Sequence, residues 1–288
     1  MEGLHREKVI AWFSPDEVYP KLRAKNTFLL HSVKGPEKIA RHSFVGWEPF
    51  LIIKSKGDRI EIESDERKIL LGNPLDIFRD VLRSAESHPE YKGGFGYLGY
   101  DIAWFIEDLP RRAVDDLKLP DLYFIFPRHL LIFDHKEQNI EILSAEREEI
   151  EELLRKPSPS ICSFYKNSPK IESNFTKKEY INVIKRAKEY ISAGDIYQAN
   201  LSQRLSAEID IDPWTLYKRL IAINPSPFSA YLELDGFSLI SSSPERLIKI
   251  SGGVIETRPI AGTRKRGREK DEDLSLEREL ILSEKERA

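Results

Sequence analysis

Val254-Ile255-Glu256-Thr257-Arg258-Pro259-Ile260-Ala261-Gly262-Thr263-Arg264 is the stretch from which the chain is best read. Its opening residues, rich in β-branched types, predict a strand over 254–257, paired across Gly252-Gly253 with another at Leu247–Ile250. Pro259 then stiffens the exit, and Ala261-Gly262-Thr263 is small enough for a ligand to approach the backbone amides, with the Thr263 hydroxyl beside them. Such an element can hold a carboxylate or hydroxyl of a small acidic molecule. Arg258, Arg264, Lys265, Arg266, Arg268 and Lys270 make the surroundings basic, but Glu269–Asp273 supplies acids. From charge alone, a solvated and self-balanced loop is the simpler reading.

Working upstream, Ser229–Leu234 and Phe237–Ser241 read as a hairpin about Asp235-Gly236, preceded by a helix at Trp214–Ile223. Thr176 with Glu179 fits a capping box, Tyr180, Val183, Ile184, Ala187 and Ile191 share one face, and Gly194 terminates, so 176–193 predicts a helix. Ile196–Leu205 reads as a strand after it. Residues 156–174, with Pro157 and Pro159 among small polar residues, form the best linker between a front region (1–155) and a back region (175–288). In the front region, Thr27–Leu30, Phe50–Ser55, Arg59–Glu63, Leu122–Phe126, His129–Phe133 and Ile140–Leu143 predict strands. Asn73 caps a helix that Pro74 opens, with Ile77, Phe78, Val81 and Leu82 on its apolar face. Helices mixed with hairpin-linked strands argue for an α+β fold over a doubly wound sheet.

The 288 residues are 40% hydrophobic, enough for a substantial core, and 32% are charged with a net charge of −3. No global basic field for nucleic acid exists. The single Cys162 rules out an internal disulfide or a cysteine metal cluster. Met1–Arg6 lacks a signal-peptide core, and no apolar run approaches the ~20 residues of a membrane span, so a cytoplasmic protein is expected.

Two further signals weaken on inspection. Gly94-Phe95-Gly96-Tyr97-Leu98-Gly99 matches a dinucleotide fingerprint, but a helix and His88-Pro89 precede it and Asp108-Leu109-Pro110 soon follows. Close backbone packing in a strand explains these glycines better than a nucleotide site. The six histidines are scattered without metal-ligand spacing, so zinc is not expected.

Several segments together resemble the chorismate-binding enzymes. Glu256–Arg264 resembles their T-R-P-I-[AK]-G-T signature, and Gly194-Asp195-Ile196-Tyr197-Gln198-Ala199-Asn200-Leu201-Ser202-Gln203-Arg204 resembles their G-D-x-[YF]-Q-x-x-L-x-Q-R segment. Asn224-Pro225-Ser226-Pro227-Phe228, Ser242-Ser243-Pro244-Glu245, Leu29-Leu30-His31-Ser32 and Gly93–Asp101 are similar to further family segments in the expected order. The likeness covers essentially the whole chain.

The resemblance implies two orthogonally packed antiparallel sheets flanked by helices, with the C-terminal part of the fold missing. It implies an Mg2+-dependent large subunit that adds ammonia to chorismate, the ammonia coming from a separate glutaminase subunit. Gly262 and Thr263 would hold the substrate, and Ser32, Pro227, Phe228 and Ser229 would line an amino-acid pocket, although His31 departs from the acidic residue of the tryptophan-feedback type. Gln198 stands where isochorismate-forming relatives place a water-activating lysine. A neutral amide is a poor base, which favours ammonia over water; its plain alternative is a strand residue satisfying a neighbour. Ala261 stands where some aminodeoxychorismate synthases carry a nucleophilic lysine, and alanine cannot attack the ring.

Glu286 matches the first acid of a metal-binding E-x-x-E-H helix whose continuation would follow Ala288. The chain is therefore expected to be incomplete and inactive alone. Tyr197–Asn200 and Pro227–Ala230 lean towards aminodeoxychorismate synthase. Anthranilate synthase and a non-catalytic binding module of the same fold are the alternatives.

Overall fold

A computed structural model describes residues 7–9, 12–159, 169–260 and 262–284. The elements run β1 (Glu7–Val9), α1 (Pro15–Leu22), β2 (Thr27–His31), β3 (His42–Lys56), β4 (Arg59–Glu63), β5 (Arg67–Leu71), α2 (Pro74–Glu86), β6 (Phe95–Leu98), β7 (Leu122–Asp134), β8 (Asn139–Leu143) and α3 (Arg147–Arg155). They continue as β9 (Glu172–Ser173), α4 (Lys177–Ala193), β10 (Leu205–Ser206), α5 (Pro213–Ile223), β11 (Phe228–Glu233), β12 (Ser238–Ser243), β13 (Arg246–Ser251), β14 (Val254–Arg258) and α6 (Lys270–Leu282). The expected α+β class is borne out, and the strand pairings among the described residues are antiparallel. The contacts divide the chain into two compact units, residues 1–159 with 217–288, and residues 160–216.

The larger unit is organised by two long strands. β3 and β7 pair from His42↔Asp134 to Ser55↔Leu122, with a register shift between Pro49 and Leu51. Pro49 faces Pro127 in this ladder. The sequence predicts two strands broken near Pro127-Arg128, whereas one strand runs through. Opposed prolines leave no amide donor wanting a partner on either side, so the breaker does not break the ladder. On one side of the shift the pair is extended by β2, β11 and β12 and by β8 and β1; on the other, by β4, β5 and β6.

Alternation along the shared strands feeds two cores. Ile52, Tyr123 and Ile125 join Phe28 and Leu232, while their neighbours Ile53, Leu122 and Phe126 join Ile60 and Ala85. The second core is covered by α2, whose Ile77, Phe78, Val81 and Leu82 pack on it as the periodicity predicts. Asn73 caps this helix, its Oδ1 accepting from Leu75 N at 2.9 Å. At Gly96 on β6 a side chain would overlap the carbonyl oxygen of Tyr123 on β7, so the glycine pattern at 94–99 serves close strand packing.

The smaller unit contains α4, opened by Thr176 and Glu179 in a capping box and closed by Gly194 in the left-handed region at φ 82°. Its strand pair β9–β10 is two residues long, supported by Arg204 N donating to Asn174 Oδ1 at 2.8 Å. The expected strand at 196–205 does not form: 196–204 is irregular, and only Leu205 pairs. Alternation of residue types makes a strand possible, but a ladder needs a neighbour, and β9 is too short to provide one. No helix among the described residues is long and apolar enough to cross a membrane.

Candidate functional site

The β13–β14 hairpin turns through Gly252 (φ 57°) and Gly253 (φ 76°), where the left-handed backbone suits glycine. β14 delivers the chain into Pro259 and Ile260, and the Ile260 amide donates to Glu245 Oε1 at 2.9 Å. Thr257 Oγ1 donates to the Leu247 carbonyl at 2.8 Å, closing the hairpin from its other edge. Ala261 lies outside the described residues. Gly262 follows with φ 72°, a turn that strains any other residue, and Thr263 is exposed beyond it.

Acids from α6 hold the rest of this loop. Arg264 Nε donates to Glu279 Oε1 at 2.8 Å, and Arg266 Nε to Asp273 Oδ1 at 2.8 Å. Asp273 Oδ1 also accepts from the Gly267 amide at 2.8 Å, and the guanidinium of Arg266 keeps this carboxyl below its usual range. A side chain at Gly267 would overlap the Asp273 amide, so glycine permits this close approach. Arg258 pairs with Glu256 at 2.9 Å and Lys265 with Glu272 at 3.7 Å. Arg258, Arg264, Lys265 and Arg266 are thus neutralised locally, in the direction charge alone predicts, and these cations position the loop.

A cavity of about 760 Å³ opens where β2 meets β11. Ser32, Pro227, Phe228 and Ser229, expected around an amino-acid pocket, all line it. Cross-strand register explains the gathering: Ser229 lies opposite His31 and Ala230 opposite Leu30. Ser32 Oγ donates to the His42 carbonyl at 2.8 Å and the Pro227 carbonyl at 3.2 Å, while the Ser32 amide donates to Ser43 Oγ at 3.0 Å. His31 is buried, its Nδ1 3.0 Å from the Tyr217 hydroxyl. Burial, with help from His135 and Lys218, pushes its pKa down to about 4 against the pull of Asp16. Sequence reading missed Lys38, Arg41, Arg246 and Lys249 in the lining. Arg246 directly follows the Ser242–Glu245 segment, so only its neighbourhood was signalled.

Gln198 lies in the smaller unit on an exposed irregular segment, its Nε2 donating to Asn200 Oδ1 at 3.2 Å. Glu286, expected as a metal ligand, lies outside the described residues. Among those described, no group of three or more His, Cys, Asp or Glu side chains could hold a metal ion. They do not by themselves compose an Mg2+ site.

A family model described as chorismate binding enzyme matches residues 25–288. The chain belongs to the chorismate-binding enzyme family. This family member is 37% identical over 290 residues to anthranilate synthase component 1 of Acetivibrio thermocellus, covering 90% of the chain and 59% of that relative. It is 34% identical over 285 residues to aminodeoxychorismate synthase component 1 of Bacillus subtilis, covering 92% of the chain and 60% of that protein. Among solved structures, anthranilate synthase component I from Streptococcus pneumoniae superposes with a TM-score of 0.70 at 25% identity, over 96% of this chain and 63% of that one. The chain thus spans about six-tenths of the length of these relatives.

Proposed function

We propose that this chain is the chorismate-holding portion of an enzyme that adds ammonia to chorismate. The observation that carries this reading is the Glu256–Thr263 segment: a strand, a rigid proline and a left-handed Gly262, tethered by Glu245, in a chain matched by the chorismate-binding family. Chorismate bears two carboxylates. A left-handed glycine beside a threonine is a backbone turn of the kind that presents amides and a hydroxyl to such a group. Glu245, Asp273 and Glu279 act as positioning residues, fixing the loop from both ends so that little order remains to be gained on binding.

Gln198 carries no charge and cannot serve as the general base that water addition would need. Ammonia is already nucleophilic, so the step reads as formation of a carbon–nitrogen bond with loss of the ring hydroxyl as water. In the complete protein a glutaminase partner would supply the ammonia. Mg2+ held in part by Glu286 would add its charge at the ring carboxylate.

The names of the relatives lean towards anthranilate synthase, and anthranilate, formed when the aminated ring then loses its enolpyruvyl side chain as pyruvate, is the first reading of the product. Aminodeoxychorismate is the second, favoured by Tyr197-Gln198-Ala199-Asn200 and Pro227-Phe228-Ser229-Ala230. The test is incubation of the complete protein with chorismate, Mg2+ and ammonium, with the products identified chromatographically. Anthranilate supports the first reading and aminodeoxychorismate alone the second. Chorismate left unconsumed would overturn amination altogether.

A further inference from the structure

The cavity at the β2–β11 edge has the wrong charge for an amino acid. An amino acid brings an ammonium group as well as a carboxylate, and a site for it must offer the ammonium an acid or open acceptors. Glu37 is the carboxylate among the described lining residues, and Lys136 already holds it at 2.7 Å. Ser32 Oγ is turned towards the His42 and Pro227 carbonyls. His31 stands where the feedback-type pocket would carry an acid, and it is buried and bonded to Tyr217.

Cations dominate instead. Lys38, Arg41, Arg246 and Lys249 line the cavity. Arg41 pairs with Asp134 at 2.7 Å, and Arg246 and Arg258 share Glu256 at 2.6 Å and 2.9 Å. Lys249 adds its field to Glu256, yet neither it nor Lys38 forms an ion pair among the described residues. Counting the partners of the lining residues as well, the cations Lys38, Arg41, Lys136, Arg246, Lys249 and Arg258 outnumber the carboxylates Glu37, Asp134, Glu137 and Glu256 by two. The surplus is positive, and a concave site focuses it.

The body of the cavity is apolar. Leu30, Ile39, Phe44, Phe228 and Ile248 line it, and the Arg246 guanidinium lies 5.4 Å from the Phe228 ring centroid. A flat ring can pack on such a surface, with the planar guanidinium held close to it. Its volume of about 760 Å³ falls within the range of small-molecule sites.

We propose that this cavity binds an aromatic carboxylate that carries no ammonium group. The ring is taken up by the apolar floor, and the carboxylate meets Lys38 and Lys249 at the rim. This deepens the amino-acid-pocket expectation by replacing the zwitterion with an anion, and it rests on the cavity's own residues, independently of chorismate turnover.

Three probes that share an indole ring separate the possibilities. Indole-3-propionate carries only the carboxylate, tryptamine only the ammonium, and L-tryptophan both. Calorimetric titration of the full chain at neutral pH and low salt should show indole-3-propionate binding at least about tenfold tighter than tryptophan, a 1.4 kcal/mol preference, with no heat from tryptamine. Raising the salt should weaken the propionate. The double variant Lys38→Glu with Lys249→Glu changes only exposed side chains, so its circular dichroism should match the parent, and it should lose propionate binding by about tenfold or more. Tryptophan binding as tightly as the propionate, equal binding of tryptamine, an unaffected double variant, or no binding of indole-3-propionate up to about 10 mM would each overturn the proposal. None of these readouts involves chorismate, so the amination reading stands or falls separately.

Discussion

His31 on β2 and Tyr217 on α5 share a hydrogen bond of 3.0 Å between Nδ1 and the phenol oxygen, with both side chains buried. Burial drives the Tyr217 pKa far upward, so the phenol keeps its proton and can donate it to a neutral imidazole. His31 also stacks on His135, whose Nε2 lies 2.6 Å from Ser43 Oγ, and Ser43 in turn accepts from the Ser32 amide. Ser32 in the cavity lining is therefore tied to the middle of α5 through hydrogen bonds and one ring contact.

Replacing Tyr217 by Phe removes that donor and leaves a buried ring nitrogen short of a partner. The expected cost is about 1–3 kcal/mol, read as a lower urea midpoint with an unchanged slope. An unchanged midpoint would mean that the bond contributes nothing.

Acid should weaken the larger unit in a defined window. An unfolded histidine titrates near 6.5, whereas folded His31 stays neutral down to about 4. Between these values the unfolded chain binds the proton and the folded one does not. Stability is therefore full above pH 6.5 and falls as the pH drops to about 4, by up to about 3 kcal/mol from His31 alone. His135, also lowered chiefly by burial, acts in the same direction. Urea midpoints at a series of pH values should trace this slope, and His31→Gln should flatten it.

Gly96→Ala tests the close approach of β6 and β7. Its Cβ would have to displace the backbone at Tyr123 and Phe124, not the tip of a flexible side chain. A loss of roughly 2–3 kcal/mol is expected, and thermal unfolding should show it. Survival at parental stability would rule out tight strand packing as the reason for this glycine.

Glu245 ties Ile260 to the hairpin, so Glu245→Ala should free residues 258–264. Faster amide hydrogen exchange there is the direct readout. Glu245→Gln retains an accepting oxygen and should restore much of the protection. In the complete protein, the same pair should raise the KM for chorismate with Ala more than with Gln, if the loop holds substrate as proposed.

Features that depend on near neighbours in the chain are legible in the residues themselves. The capping box at Thr176–Glu179, the Asn73-Pro74 start of α2, and the glycine turns at 236 and 252–253 are local events, set by backbone sterics and single hydrogen bonds. The motif segments likewise carried the family membership, because each is short and contiguous.

Features that depend on partners distant in the chain emerge only once it is folded. Pro127 does not interrupt β7, because Pro49 stands opposite it. Residues 196–204 alternate like a strand yet form none, because no ladder of their length faces them. The cavity draws its walls from residues 30–32, 37–44, 227–230 and 246–249. Its charge follows from which acids Lys136, Arg41 and Arg246 have already taken. Residue types set the number of charges, but long-range pairing decides which of them are left facing the ligand.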